Sequence, residues 1–186
     1  DAPTISIDDV TASDESAANS TFTATLSAAS GKTVTVDYAS SNDSISWTAA
    51  NIATSANGAS AVYVADMDGD GDLDIVSASR YDDTIAWYEN DGAADPSWTA
   101  ADIATSANGA FGVHVADMDG DGDLDIVSAS YDDDTIAWYE NDGATDPSWT
   151  AADIDTNGDS VKGVHVADLD GDGDLDILSA SSSDDT

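Results

Sequence analysis

Apolar and polar residues alternate along short stretches of this chain, with the two-residue period of β-strands. Turn-forming groups such as Asn90-Asp91-Gly92 and Asn108-Gly109 separate the stretches. No segment sustains a helical apolar period, and only the Ala-rich "TAADIATSA" suggests a helical turn. The pattern predicts an all-β chain, and in its middle part four strands follow one another: Thr84–Glu89, Trp98–Ile103, Gly112–Ala116 and Leu124–Ala129.

The pattern returns every 51 residues, as the spacing of Trp47, Trp98 and Trp149 shows. Starting each unit at the "TIAWY" strand divides the chain into repeat units 33–83, 84–134 and 135–186. Four short strands in roughly 50 residues are typical of a propeller blade or a similar small antiparallel sheet. The predicted fold is therefore three tandem four-stranded antiparallel blade-like units.

Residues 1–32 precede the repeats and contain two further alternating stretches, "TISIDDVTA" and "STFTATLSA". An acidic segment, "SDESAAN", joins them. We predict an N-terminal strand pair, whose strands could add to the free sheet edge of another molecule as donor strands.

The charge balance is strongly acidic, with 39 acidic against three basic residues and a formal net charge of −36. Binding to nucleic acid or to an anionic membrane surface needs clustered Lys and Arg, so both are excluded as partners. No apolar run reaches the roughly 20 residues of a membrane-spanning helix, and the absence of cysteine excludes thiolate metal sites. Cations are the predicted partner.

Much of this charge lies in the stretch "DMDGDGDLD" at residues 66–74, which recurs at 117–125 and, as "DLDGDGDLD", at 168–176. Calcium takes six to eight oxygen ligands in a flexible shell, whereas magnesium prefers octahedral geometry and keeps its waters. A nine-residue loop around one ion can supply side-chain oxygens from positions 1, 3, 5 and 9 and a backbone carbonyl from position 7. The glycines at positions 4 and 6 permit the positive φ that such a turn needs.

The stretch "FGVHVADMDGDGDLDIVSAS" (Phe111–Ser130) resembles the FG-GAP/VCBS repeat family, although Ser128-Ala129-Ser130 replaces the family's "GAP". The resemblance covers about residues 33–186 and implies calcium-loop blades of the kind found in integrin-type β-propellers and secreted bacterial proteins. It implies three calcium ions (Ca2+), one in each repeat. The implied ligands, with position 7 contributing its carbonyl, are Asp66, Asp68, Asp70, Asp72 and Asp74; Asp117, Asp119, Asp121, Asp123 and Asp125; and Asp168, Asp170, Asp172, Asp174 and Asp176.

The N-terminal segment Pro3–Ser40 is similar to the opening of a Calx-beta domain, an extracellular β-sandwich module. It covers only part of such a module before the repeats begin. The resemblance implies a calcium role for Asp14 and Glu15.

Other residue types are interpreted as structural. His114 and His165 share a repeat position with Tyr63, which favours strand packing over metal binding or catalysis. Aspartate groups such as Asp82-Asp83 are expected on a solvated face. Asn19 and Asn42 fit the N-glycosylation pattern. The five tryptophans are expected in the core rather than in a sugar platform, and they are Trp47, Trp87, Trp98, Trp138 and Trp149.

The sequence contains neither G-x-S-x-G nor HExxH, and we expect no enzymatic activity. Propellers close with about four to eight blades, so three units leave exposed ends. We expect an extracellular or cell-surface structural protein, with any export signal removed, that forms a homo-oligomer or polymer. Strand addition and blade stacking would build a filament or a surface layer. The alternatives are an adhesion or glycan-binding module with a cell-surface partner, and a non-catalytic piece of a larger secreted protein or enzyme.

Overall fold

The computed structural model describes Ile5–Ile7, Ala24–Leu26 and residues 49–183, and all regular structure in these ranges is β. The predicted all-β class is confirmed. No helix in these ranges is long and apolar enough to cross a membrane. The strands are β1 (Ile5–Ile7), β2 (Ala24–Leu26), β3 (Ala59–Ala65), β4 (Asp74–Ser79), β5 (Thr84–Asn90), β6 (Trp98–Ala104), β7 (Ala110–Ala116), β8 (Asp125–Ser130), β9 (Thr135–Asn141), β10 (Trp149–Asp155), β11 (Val161–Ala167) and β12 (Asp176–Ser181).

The chain divides into two compact units, Asp1–Thr48 and Ala49–Thr186. In the first unit, β1 and β2 pair antiparallel with Ile5 opposite Leu26, which confirms the predicted strand pair. A donor role for these strands stays a prediction. Asp14, Glu15, Asn19, Asn42 and Trp47 lie outside the described residues.

The second unit contains three antiparallel sheets, ordered β3-β4-β5-β6, β7-β8-β9-β10 and β11-β12. We call them sheets 1, 2 and 3. Sheets 1 and 2 have the four strands predicted, and sheet 3 has two within the described residues. The predicted repeat units do not coincide with these sheets. The boundaries of the units 33–83, 84–134 and 135–186 fall between the second and third strands of sheets 1 and 2. A periodic sequence defines the repeat length but not where a sheet begins.

The Ala-rich stretch is mostly strand β6, which confirms the predicted strand Trp98–Ile103 and not the helical turn that the stretch also suggested. Its backbone pairs with β5 from Trp98 opposite Asn90 to Ala104 opposite Ile85, with one register shift. Because Ile103 packs against the core of the second unit, tertiary contacts outweigh the local helical preference of alanine.

Alternating side chains give every sheet two faces, and the two faces of sheet 2 pack against different neighbours. The C-side face of a sheet is the one toward the next sheet along the chain, and the N-side face is the one toward the preceding sheet. Val76 and Trp87 on the C-side face of sheet 1 share one apolar cluster with Val115 and Ile126 on the N-side face of sheet 2. The second cluster joins sheets 2 and 3, with Val127, Ala129, Val164, Val166 and Ile177.

Three rings at the same repeat position form a row across the first strands of the sheets. The rings of Tyr63 and His114 lie 5.0 Å apart, and those of His114 and His165 lie 4.4 Å apart, both edge to face. Burial lowers the pKa of His114, and the nearby His165 lowers it further. The predicted packing role of these histidines therefore agrees with their positions.

A group of cationic and aromatic side chains lies at the opposite end of the sheets from the aspartate loops. The guanidinium of Arg80 lies 4.8 Å from the ring centre of Tyr131 and 5.8 Å from that of Phe111. The ammonium of Lys162 lies 5.3 Å from the same Tyr131 ring. Arg80 and Lys162 are the two basic residues of the range 49–183, and both face aromatic rings.

The aspartates after the second strand of sheets 1 and 2 hold turns together, contrary to the solvated face expected for them. Asp83 has φ +56° and its Oδ1 accepts the Gly109 N–H at 2.8 Å. Asp134 repeats this conformation with φ +58°, and its Oδ1 accepts the Ser160 N–H at 2.6 Å. These bonds tie the turn between the second and third strands to the loop that leads into the next sheet.

The buried His114 is expected to make stability depend on pH. Because its pKa is lowered in the folded state, the unfolded chain binds the proton more tightly. The free energy of unfolding therefore keeps its full value above the ordinary histidine pKa of 6.5, and it decreases as the pH falls below 6.5 because His114 must then be protonated or stay neutral at a cost. Urea unfolding in saturating calcium at pH 7.5 and pH 5.5 should show a smaller loss for His114→Asn than for the wild type.

The control is His165→Asn, which keeps His114 and removes only the smaller of the two causes of its lowered pKa, so most of the pH dependence should be retained. Equal losses of stability in the wild type and in His114→Asn would contradict this account.

Candidate metal-binding loops

Each aspartate loop is the tip of a β-hairpin formed by the first two strands of a sheet. In sheet 1, the last residue pair before the loop is Ala65 opposite Asp74. The glycines at positions 4 and 6 have positive φ in every loop, with values of +74° for Gly69 and +98° for Gly71 in the first. A side chain at these positions would be strained, which explains why glycine alternates with aspartate here.

The hairpin geometry gathers carboxylates in all three loops. One oxygen from each of three aspartates lies within 4.8 Å of the others. In the first two loops the group comes from positions 1, 3 and 5, and in the third loop from positions 1, 3 and 9. The groups are Asp66, Asp68 and Asp70; Asp117, Asp119 and Asp121; and Asp168, Asp170 and Asp176. Each group could hold one metal ion.

Backbone amides of the loop turn toward these carboxylates. In the first loop, Asp66 Oδ2 accepts the Gly71 N–H at 3.0 Å, and Asp70 Oδ1 accepts the Asp72 N–H at 2.8 Å. The second and third loops repeat both bonds. The amides partly offset the repulsion between the carboxylates and fix the curvature of the loop.

The ninth aspartate joins the loop to its own sheet. Asp74 is buried, and it accepts N–H groups from Met67 at 3.0 Å and from Asn90 at 2.9 Å. Asp125 does the same in sheet 2, with Met118 and Asn141 as donors. Burial raises the pKa of Asp125, and the two backbone donors oppose that rise. A carboxylate at position 9 therefore has a structural role, which sequence reasoning described only as metal ligation.

The seventh aspartate points its side chain to the turn between the third and fourth strands. The Asp72 carboxylate fills the space beside Gly92, which has φ +68° and no room for a Cβ atom. Asp123 lies beside Gly143 in the same manner. Neither side chain belongs to the grouped carboxylates. Ligation by the position 7 carbonyl stays a prediction, and the side-chain placement is compatible with it.

Asn141 connects two loops and was missed from the sequence. Its buried Nδ2 donates to Leu124 O at 3.1 Å in its own sheet and to Met67 O at 2.9 Å in the loop of sheet 1. Its Oδ1 accepts the Gly143 N–H at 3.0 Å. The "NDG" triplet indicated only a turn, because the contact to Met67 joins residues far apart in the chain.

The residues of these loops fit a hard cation. Burial raises the pKa of Asp68, the backbone N–H of Asp70 lowers it, and the charges of Asp70, Asp74 and Asp66 raise it. Asp66 Oδ1 is buried without a hydrogen-bond partner. An all-oxygen set that repels itself and retains a free buried oxygen is suited to an ion such as calcium or magnesium.

Three of the four tryptophans in residues 49–183 favour the packing interpretation, and the fourth, Trp98, is half-buried in β6. Trp87 is buried between sheets 1 and 2, and Trp149 packs against the same cluster. Trp138 packs against the cluster between sheets 2 and 3. A side chain enclosed between two sheets cannot offer its ring to a sugar.

Comparison with known proteins agrees with the loop assignment. The sequence profile described as an FG-GAP-like repeat matches residues 66–128 and 117–179, and each match begins at the first aspartate of a loop. Together the matches cover more than half of the chain. Neither the curated proteins nor the solved structures contain a significant match. The Calx-beta resemblance of the N-terminal segment stays a prediction.

The link made by Asn141 can be tested against its counterpart in sheet 1. Asn141→Ala leaves the buried Met67 carbonyl without its donor and should lower the free energy of unfolding by about 2 kcal/mol. Asn90→Ala, which removes the corresponding exposed bond to Leu73 O, should cost less than about 1 kcal/mol. Chemical denaturation in saturating calcium measures both, and equal costs would contradict a structural link between the loops.

Proposed function

The chain belongs to the FG-GAP-like repeat family, and we propose that it is an extracellular structural protein stabilised by calcium. The observation that supports this most directly is the grouping of three carboxylates at the tip of each hairpin. FG-GAP-like repeats are typical of extracellular or surface proteins, and the family is typically non-catalytic. These properties support an extracellular place and a role without enzymatic activity.

Calcium is proposed to bind once in each loop. Positions 1, 3, 5 and 9 would supply carboxylate oxygens, and position 7 would supply its carbonyl. Calcium accommodates this many oxygens and an irregular shell more readily than magnesium does. Bound there, the ion would neutralise carboxylates that otherwise oppose the hairpin, and it would stabilise the folded chain by mass action.

Hydrogen bonds from the loops to other strands indicate how a bound ion would stabilise more than its own hairpin. The ninth aspartate ties each loop to the third strand in sheets 1 and 2, and Asn141 ties the second loop to the first. Order in one loop therefore supports the sheet behind it and the neighbouring sheet. This arrangement supports a structural role for the metal.

We further propose that the protein assembles into a filament or a surface layer. The apolar side chains exposed on sheets 1 and 3 support stacking between molecules. In this proposal, strands β1 and β2, which pair with each other in the structure, would add to a free sheet edge of another molecule. An adhesion or glycan-binding role receives no comparable support from the described residues, because Trp87 is buried between sheets.

Calcium titration followed by thermal melting tests the proposed function. At a 100-fold excess over its Kd, each site should add about 2.7 kcal/mol. Each kcal/mol should raise the melting temperature by roughly 2–4 °C in a chain of this size. The rise should disappear with a chelator and be smaller with magnesium at the same concentration.

A matched pair of variants assigns the effect to the loops. Asp117→Asn with Asp119→Asn should remove the contribution of one site. Asp95→Asn with Asp146→Asn makes the same change of charge in exposed turns and should retain all three contributions. A melting temperature that does not respond to calcium in the wild type would refute the calcium role.

A further inference from the structure

We propose that the N-side face of sheet 1 and the C-side face of sheet 3 are two halves of one interface, which joins successive copies of this chain head to tail. The inference rests on the proposed structural function and names the surfaces that would carry the assembly. Its partner is a second copy of the same chain.

The N-side face of sheet 1 is apolar and exposed. Val62 is 66% exposed and Val64 is 53% exposed, and they line an open cavity of about 300 Å³ with Ile52, Ile75 and Tyr88. At the same repeat position in sheet 2, Val113 is 8% exposed, because the C-side face of sheet 1 covers it. Val62 therefore corresponds to a residue that is buried between two sheets, but no described residue of the chain covers Val62 itself.

The C-side face of sheet 3 shows the reciprocal pattern. Leu178 is 57% exposed, whereas Val76 and Val127 at the same repeat position are fully buried in sheets 1 and 2. His165 and Ala180 beside it are also exposed. The part of the covering face that the first two strands form in sheets 1 and 2 is present a third time in β11 and β12.

The chain itself shows how these two faces fit. The C-side face of sheet 1 packs on the N-side face of sheet 2, and the C-side face of sheet 2 packs on the N-side face of sheet 3. Placing the C-side face of sheet 3 on the N-side face of sheet 1 in another copy repeats the part of this contact that the first two strands of a sheet make. Leu178 would then meet Val62 and Val64, and His165 would extend the ring row toward the next Tyr63.

The two faces differ, so the contact joins one end of a molecule to the other end of the next. A head-to-tail contact of this kind gives a ring if the rotation closes and a filament if it does not. The net charge of −36 opposes either product, because successive copies repel each other. Association should therefore strengthen with calcium and with rising ionic strength, which screen that repulsion.

The test uses the full chain and places one aspartate on each face. Val62→Asp blocks the N-side face of sheet 1, and Leu178→Asp blocks the C-side face of sheet 3. Both positions are exposed, so the fold and the calcium-dependent melting should be retained. The matched control Ala94→Asp adds the same charge in the exposed β5–β6 turn.

Analytical ultracentrifugation in calcium should show concentration-dependent association of the wild type and of Ala94→Asp. Each face variant alone should associate at least tenfold more weakly. An equal mixture of Val62→Asp and Leu178→Asp should form a one-to-one dimer, because each variant contributes the face that the other lacks. This dimer is the result expected of two complementary faces.

Other outcomes overturn the proposal. Dimers formed by either variant alone would indicate pairing of like faces. If each variant associates as strongly as the wild type, these two faces do not form the interface, although the protein does assemble. A wild type that stays monomeric while its melting temperature rises with calcium would overturn the interface and the assembly but not the calcium role.

Discussion

Repulsion between carboxylates held close together is the constraint around which the second unit is organised. Three aspartates share each hairpin tip, and the backbone amides of the loop provide partial compensation. The carboxylates at positions 7 and 9 turn to the sheet behind the loop, one beside the glycine of a turn and one on two backbone amides. The charged loop is therefore a junction at which strands one, two and three of a sheet meet.

From these junctions the structure extends by stacking. Each sheet has an apolar face on both sides, so one sheet cannot bury its own side chains and needs a neighbour on each side. Val113 and Val127 of sheet 2 satisfy this requirement on opposite faces, and sheets 1 and 3 satisfy it on one face each. The same geometry leaves Val62 and Val64 on sheet 1 and Leu178 on sheet 3 exposed.

The sequence predicts much of this arrangement because its main signals are local and repeated. Alternation and turn residues predict the strands, and the nine-residue spacing of aspartate predicts the gathered carboxylates. Periodicity cannot locate the start of a sheet, since every choice of origin gives the same repeat. The Ala-rich β6 stretch was ambiguous because its pairing with β5 and the packing of Ile103 are tertiary effects.

The sequence also does not predict hydrogen bonds between residues that are far apart in the chain. The bond from Asn141 to Met67 joins residues 74 apart in the sequence, and the turn contacts of Asp83 and Asp134 join residues 26 apart. In the sequence these residues look like ordinary turn formers. Their contributions become visible only when the sheets are placed side by side.

The cluster around Tyr131 has a consequence for folding fidelity. Nearly identical repeats can exchange partners during folding, and misassembly between neighbours is a known failure of such chains. Arg80, Tyr131 and Ser182 occupy one repeat position, so the contact between Arg80 and Tyr131 arises where sheet 1 adjoins sheet 2 and has no equivalent at that position between sheets 2 and 3. Lys162 marks the next boundary in the same way. The two boundaries between these similar sheets therefore carry different cations against the Tyr131 ring, which makes the boundaries chemically distinct.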